Sequence, residues 1–283
     1  MFEKDWLVQK IAREALQKAL AEFARGRMID IGCGGKPYVT LAERYVTEHV
    51  GLDQPGTSCY GTKADLESTA YDIPSPDCSF DTVLCTAVLE HLEEPEEALV
   101  EARRVLTPGG CAIYTAPLFW HCHEQPRDFY RYTEFGLRHL FNKAGFDQVQ
   151  ITPLAGFWVT FGEELVYSLW RFRKGGRINP LWWIVPPLGF IIQLVCLLIN
   201  SIDPSPGFTW MYLVTAMKPF AEPGGACASP EGPVKRTASR DYLRMSPDAS
   251  RPFLGRLRAL GWVFGHVSES DAQPGSQRPQ TAL

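Results

Sequence analysis

The chain has 283 residues, 45% of them apolar, and a formal net charge of −4 at pH 7. That length suffices for one large α/β domain with additions, and the slight acidity gives no electrostatic case for nucleic acid. The eight cysteines are scattered without a CxxC pair, which fits a reduced, cytoplasmic setting better than a disulfide framework. The start, Met-Phe-Glu-Lys-Asp-Trp, has no basic segment leading into an apolar one, so no signal peptide is expected. Residues 3–25 predict an amphipathic helix, because Trp6, Leu7, Ile11, Leu16, Leu20 and Phe23 recur at helical spacing. Gly26 ends it. Residues 27–155 then alternate short apolar runs with helical stretches. Strands are predicted at 27–31, 49–53, 80–85, 111–116 and 148–153, and helices at 38–46, 95–106 and 134–144. Such alternation implies a parallel sheet covered by helices on both faces. Residues 156–207 form a hydrophobic insertion that includes the uncharged run 181–200, and 210–217 reads as a further strand. From residue 220 onward Pro, Gly, Ser and mixed charge dominate, as in a disordered tail. The expected organisation is a domain over 1–219 and a tail over 220–283.

The strongest chemical signal is Met28-Ile-Asp-Ile-Gly-Cys-Gly-Gly35. An apolar strand ends in an acid and passes into Gly32-x-Gly34, which lets the backbone turn sharply and approach a ligand. A helix start beyond it would offer free N–H groups. Asp53 closes the next strand about 20 residues further on, where a doubly wound fold places an acid against ribose hydroxyls. A dinucleotide site would want a third glycine where Pro37 stands. Asp30 would sit badly beside a pyrophosphate and suits a cationic ligand group.

Asp30-Ile-Gly-Cys-Gly34 resembles motif I of class I S-adenosylmethionine-dependent methyltransferases. Gly51-Leu-Asp53 resembles their ribose-binding acid, and Ala64-Asp-Leu66 their third motif, with an acid facing the adenine amino group. The runs from Ile73-Pro74 through Ser79-Phe-Asp81, Val88-Leu-Glu-His-Leu92 and Arg104-Val-Leu-Thr-Pro-Gly-Gly110 are similar to the later motifs, in the same order. One departure is Lys36, where many members have a third glycine. The resemblance implies a Rossmann-like seven-stranded sheet, with the hydrophobic helical insertion before the last strand. It implies S-adenosylmethionine as cofactor, held by Asp30, Gly32, Gly34, Asp53, Asp65, Leu66 and Thr86. It also implies methyl transfer to a small-molecule, lipid-linked or glycan acceptor. An NAD-dependent oxidoreductase and a non-catalytic, membrane-associated module of the same fold are the alternatives.

Methyl transfer needs a base only when the acceptor is a weak nucleophile such as a hydroxyl. His91, just past the fourth strand, and His123, in the aromatic run 117–132 after the fifth, are the candidates. Loops at this edge of an α/β sheet line the ligand crevice, so the run reads as an acceptor lid. His121-Cys122-His123-Glu124 invites a metal reading, but adjacent residues cannot easily all face one ion and no second cluster stands at the usual spacing. No metal is therefore expected. Pro186-Pro187 should break the run 181–200, leaving 188–199 as continuous helix, too short to cross a bilayer. The insertion then reads as a core element, a dimer contact, a lid, or a peripheral contact with the inner face of a membrane. Arg171, Arg173, Lys174 and Arg177 stand ready for anionic headgroups.

Overall fold

The structure, a computed structural model, describes residues 4–55, 63–174, 176–205 and 207–220. The expected tail lies outside the described residues from position 221 on. Helix α1 (Trp6–Phe23) buries Leu7, Val8, Leu16, Ala19 and Leu20 along one face. That stripe packs with Met28, Leu84 and Ile113 in one core cluster, on one side of the sheet. Ile29, Val83 and Ala112, which alternate with them along the strands, belong to a second cluster. This period of two is what a sheet covered on both faces requires.

The strands are β1 (Arg27–Ile31), β2 (Glu48–Asp53), β3 (Leu66–Glu67), β4 (Phe80–Thr86), β5 (Leu106–Pro117), β6 (Asp147–Pro153) and β7 (Met211–Met217). They form one seven-stranded sheet in the order β3-β2-β1-β4-β5-β7-β6. Pairings from β3 through β5 are parallel, and β7 runs antiparallel between β5 and β6. The sheet is therefore mixed rather than wholly parallel, because its last strand enters between two strands already laid down.

The helices are α2 (Val39–Ala42), α3 (Pro95–Val105), α4 (Glu134–Lys143), α5 (Phe157–Trp170) and α6 (Leu181–Ile202). Helix α3 starts on Pro95, carries Glu96 and Glu97 in its first turn and ends on Arg103 and Arg104, the order that suits its dipole. The helix expected over 38–46 contracts to the single turn of α2. Beyond it the Thr47 amide bonds to the Gly26 carbonyl at 2.8 Å, returning the chain to the foot of β1.

The insertion departs most from expectation. Helix α6 runs unbroken for 22 residues through Pro186 and Pro187, about 33 Å at 1.5 Å per residue. The break does not occur because packing outweighs the missing donors. Pro186 is buried on the face turned inward, and α5 and α6 meet over glycines. A Cβ on Gly162 would lie 2.7 Å from the Cys196 sulfur, and one on Gly189 would lie 3.1 Å from a Val166 methyl. Length alone would let α6 cross a bilayer, so the shortness argued from the sequence does not hold. The topological limit does, because β7 follows α6 directly and lies in the same sheet as β5. The cysteines also differ from expectation. Cys33, Cys85, Cys111, Cys122 and Cys196 are free thiols, but Cys78 is disulfide-bonded, since spacing along a chain does not tell which thiols the fold brings together.

Candidate active site

The sheet order reverses direction between β1 and β4, and the loops leaving these two strands open a crevice at their carboxyl ends. The first loop is tied to β2 by the Gly32 and Cys33 amides, which bond to the Leu52 carbonyl at 2.8 and 3.1 Å. Gly32 sits at φ 71°, and a Cβ there would come within 2.4 Å of a Val88 methyl. Both the dihedral and the close pass under the β4 loop demand glycine. At Gly34, φ is 49° and a Cβ would meet nothing within 4 Å, so the backbone is bared there rather than packed. Lys36 also adopts a left-handed conformation, at φ 54°, one that glycine takes without strain.

Asp53 turns its carboxylate onto this loop, accepting from the Gly34 amide at 3.2 Å and from the Gln54 amide at 2.8 Å. The other acids lie differently. Asp30 is buried, and its carboxylate is 3.1 Å from His49 Nε2. Burial pushes its pKa up, and the His49 partner opposes that. Register explains the pair. Met28 faces His49 and Asp30 faces Gly51, so the two side chains share one face, one pleat apart. Asp65 accepts from the Gly51 amide at 2.7 Å and pairs with the Lys36 ammonium. Burial works against its charge, but those two donors outweigh it and hold the carboxyl below its ordinary range. This places Asp65 at the level of Gly51. The carboxylate level with Asp53 is Glu67, because Leu52 pairs with Leu66 and Asp53 with Glu67. Sequence reasoning missed both His49 and Glu67, since each is defined only by strand register.

Thr86 ends β4, half-buried beside Thr115. The chain then passes through Ala87, at φ 52°, into the short turn Leu89–His91. Here the loop after β5 comes back over the crevice. The Phe129 and Tyr130 amides bond to the Glu90 carbonyl at 2.9 and 3.2 Å. The Tyr132 hydroxyl bonds to the Leu89 carbonyl at 2.8 Å. Arg131 clamps Asp128 with two bonds of 2.6 and 2.8 Å, and this partner holds Asp128 well below the usual carboxylate range. Arg127 reaches Gln54, next to Asp53, at 3.1 Å.

These ties bring His91 and His123 together, their ring centroids 4.7 Å apart. Burial, with His91 nearby, pushes the His123 pKa down and favours the neutral ring. Glu90 beside them is buried, and burial raises its carboxyl to about 8. On its far side the same loop docks on the insertion. The Trp120 ring lies 5.2 Å and the His121 ring 4.4 Å from Tyr167 of α5. A cleft of about 450 Å³, lined by Arg27, His49, Asp65, Leu66 and Phe80 among others, reaches two of the expected cofactor residues, Asp65 and Leu66, from the side of β2 and β3.

The strand order differs from the 3-2-1-4-5-6 arrangement of dinucleotide folds by the antiparallel β7. Residues 29–114 match a family described as a methyltransferase domain. The chain is 27% identical to a 2-methyl-6-phytyl-1,4-hydroquinone methyltransferase of Oryza sativa subsp. japonica over 60% of this chain and 46% of that protein. It is 30% identical to a ubiquinone biosynthesis O-methyltransferase of Cereibacter sphaeroides over 38% of this chain and 49% of that one. Over 30% of this chain and 37% of the other, it is 52% identical to an uncharacterized methyltransferase of Schizosaccharomyces pombe. The chain thus spans just under half the length of the first two. A solved S-adenosylmethionine-dependent methyltransferase of Archaeoglobus fulgidus superposes with a TM-score of 0.46 at 18% identity, over 73% of this chain and 94% of that one. The likeness to methyltransferases thus rests on residues 29–114 and on relatives that match part of this chain.

Proposed function

We propose that this protein moves a methyl group from S-adenosylmethionine to an apolar small-molecule or lipid-linked acceptor. The observation that carries this reading is the convergence of the bared Gly34 backbone, the Asp53 carboxylate and the His91–His123 pair at one crevice between β1 and β4. The residues fit the cofactor. Gly32 and Gly34 let the loop pass beneath its amino acid part. Asp53 can take ribose hydroxyls, and Leu66 and Thr86 flank the same edge. When bound, the cofactor supplies an electrophilic methyl on a sulfonium, so the protein's task is alignment. Asp30 acts through its pairing with His49, on the underside of the loop. Asp65 fixes Lys36 and the loop, and Glu67 is the better-placed acid for the far end of the cofactor.

His91 and His123 face the acceptor side, where a hydroxyl would need its proton held or removed. An apolar acceptor is supported by the rings of Trp120, His121 and Tyr167, which join the lid to α5, and by relatives named for hydroquinone and ubiquinone substrates. Membrane contact at the inner face has a separate support. Along α6 the outward side chains are Leu181, Ile184, Leu188, Ile191, Val195, Leu198 and Ile202, all exposed.

Calorimetry with S-adenosylhomocysteine tests the core of this reading. The wild type should bind near micromolar, about −8 kcal/mol. Asp53→Ala should weaken binding by about 1.5–3 kcal/mol, the worth of a hydrogen bond to a charged group. Undiminished binding in Asp53→Ala would remove the ribose assignment. Turnover of labelled S-adenosylmethionine with a lipid extract separates an enzyme from a binding module.

A further inference from the structure

We infer that Glu90, His91 and His123 form a binding site for one divalent transition-metal ion on the acceptor side of the crevice. Each offers one ligand atom, and these atoms all lie within 4.8 Å of one another. The sequence argument against a metal rested on the lack of a second cluster to join His123. The fold supplies it from the turn after β4.

Both imidazoles are held in the tautomer a metal needs. His91 Nδ1 lies 2.5 Å from the Arg127 carbonyl oxygen, and an oxygen acceptor at that distance requires the proton on Nδ1. His123 Nδ1 lies 3.2 Å from the His121 carbonyl oxygen and 3.6 Å from an Asp128 carboxylate oxygen, again two acceptors. The lone pairs are therefore left on the two Nε2 atoms. Anchoring one imidazole nitrogen on a carbonyl or carboxylate is the support that metal-ligating histidines use.

The carboxylate is the second, independent observation. Glu90 is 1% exposed, and its Oε2 has no hydrogen-bond partner, while Oε1 stands 4.0 Å from His91 Nε2. A buried carboxylate with one oxygen unpartnered is costly, and a cation in front of it lowers that cost. Glu124, whose Oε2 lies 3.9 Å from His91 Nε2, is within reach as a fourth ligand. Ligands around a tetrahedral ion at about 2.1 Å stand about 3.4 Å apart, so the side chains must close by up to about 1.4 Å. Small rotations of side chains achieve that. Two imidazoles with one or two carboxylates suit zinc, manganese or ferrous iron. Magnesium and calcium take oxygen ligands.

The chemical consequence rests on the methyl-transfer reading. An acceptor hydroxyl bound to this ion gives up its proton to solvent more easily. Its oxygen then forms the bond to the methyl carbon, and the electron pair of the breaking carbon–sulfur bond stays on sulfur. In that case His91 and His123 hold the ion instead of taking the proton.

The test uses the full chain, stripped with a chelator and dialysed against Zn²⁺ or Mn²⁺, with bound metal measured by mass spectrometry. About one ion per chain should be retained, with affinity falling in His91→Ala and His123→Ala by more than the about 10–100-fold that loss of an outer-shell partner costs. Glu90→Gln should do the same, and the exposed His139→Ala on α4 should change nothing. Co²⁺ in place of these ions should give visible absorption bands that the His123→Ala variant lacks. His123 lies on a surface loop, so this variant decides the matter even if Glu90→Gln folds poorly. No retained metal, or retention indifferent to His123→Ala, overturns the site. Calorimetry with S-adenosylhomocysteine on the same metal-free sample keeps the two readings apart. If the ligand binds and metal does not, only the metal site fails. If metal binds and the ligand does not, the cofactor reading fails.

Discussion

At the carboxyl edge of β1 and β4, apolar side chains turn inward and polar groups border the crevice, with Asp30 and Glu90 buried among them. Ile29, Ile31, Val83 and Leu89 are buried, and the polar groups of Gly34, Asp53 and Thr86 turn to the crevice. Along α5 and α6 the inward face is mixed, burying Val159, Val166, Val185 and Cys196 together with polar groups. Thr160, Glu163, Arg173 and Gln193 are buried, while Phe161, Ile184, Leu188, Ile191 and Leu198 are exposed. Gln193 accepts from the Leu7 amide at 3.3 Å and donates to the Lys4 carbonyl, so one inward polar group fastens α6 to the start of α1. Arg173 lies between the rings of Trp170 and Trp182, at 4.3 and 4.1 Å. It is thus withdrawn from the basic set that the sequence offered to headgroups, leaving Arg171, Lys174 and Arg177 exposed. The difference is that the edge encloses its apolar side chains, whereas α6 leaves a row of them exposed among the described residues.

The largest effect should come from the edge. In Gly32→Ala the new Cβ meets Val88 at 2.4 Å in a left-handed conformation, costing about 3 kcal/mol or more. Cofactor binding should be lost with it. Gly34→Ala adds a Cβ in open space and should cost only about 1–2 kcal/mol of backbone strain. A fall in S-adenosylhomocysteine affinity well beyond that strain marks Gly34 as the point of backbone approach. Equal stability losses in the two variants, measured by urea unfolding, would mean that the loop is not packed as described.

Much of the edge was legible because its motifs constrain a few consecutive residues. Strand β1 falls at 27–31 as predicted, and Gly32, Gly34 and Asp53 meet where the motif order places them. What was not legible depends on pairing between distant segments. Asp65 is drawn to Gly51 and Lys36, and Glu67 stands level with Asp53, because register is a property of two strands. Glu90 gave no signal beyond its neighbour His91, and only the return of the loop after β5 sets His123 against both. In the insertion, Pro186-Pro187 misled for a related reason. The cost of two missing donors is local, but the glycine contacts between α5 and α6 that offset it are not.

A smaller effect, on the other side of the comparison, concerns Glu163. Neither of its carboxylate oxygens has a partner, and burial raises its pKa to about 8. A carboxyl whose folded pKa lies above its unfolded value binds its proton more tightly in the folded state. Its contribution to stability is fully present below about pH 4.5 and is lost as pH rises through about 8. Glu163→Gln removes that loss. The variant should match the wild type near pH 4 and exceed it by a few kcal/mol at pH 9, on the order that a shift of this size allows. Parallel stability curves from pH 4 to 9 would show that Glu163 is solvated after all.

The smallest effect on the fold, and the most informative for the hairpin, belongs to the outward face of α6. Ile191 is 55%, Val195 47% and Leu198 61% exposed, whereas Ile192 is half-buried. Replacing the first three by Ser and leaving Ile192 should change stability by only about 0.5 kcal/mol per site, as for surface substitutions. Association with lipid should respond far more. Each of these side chains can gain about 1.5–3 kcal/mol on entering the acyl boundary. Arg171, Lys174 and Arg177 would add about 1 kcal/mol each near anionic headgroups, a part that fades with salt. The wild type should float with anionic liposomes at low salt and partly release at high salt. The triple variant should stay in solution with its thermal midpoint and S-adenosylhomocysteine affinity intact. A variant that unfolds would return the face to the core. A wild type that never floats, whatever the lipid charge, would remove the membrane reading of the exposed apolar row on α6.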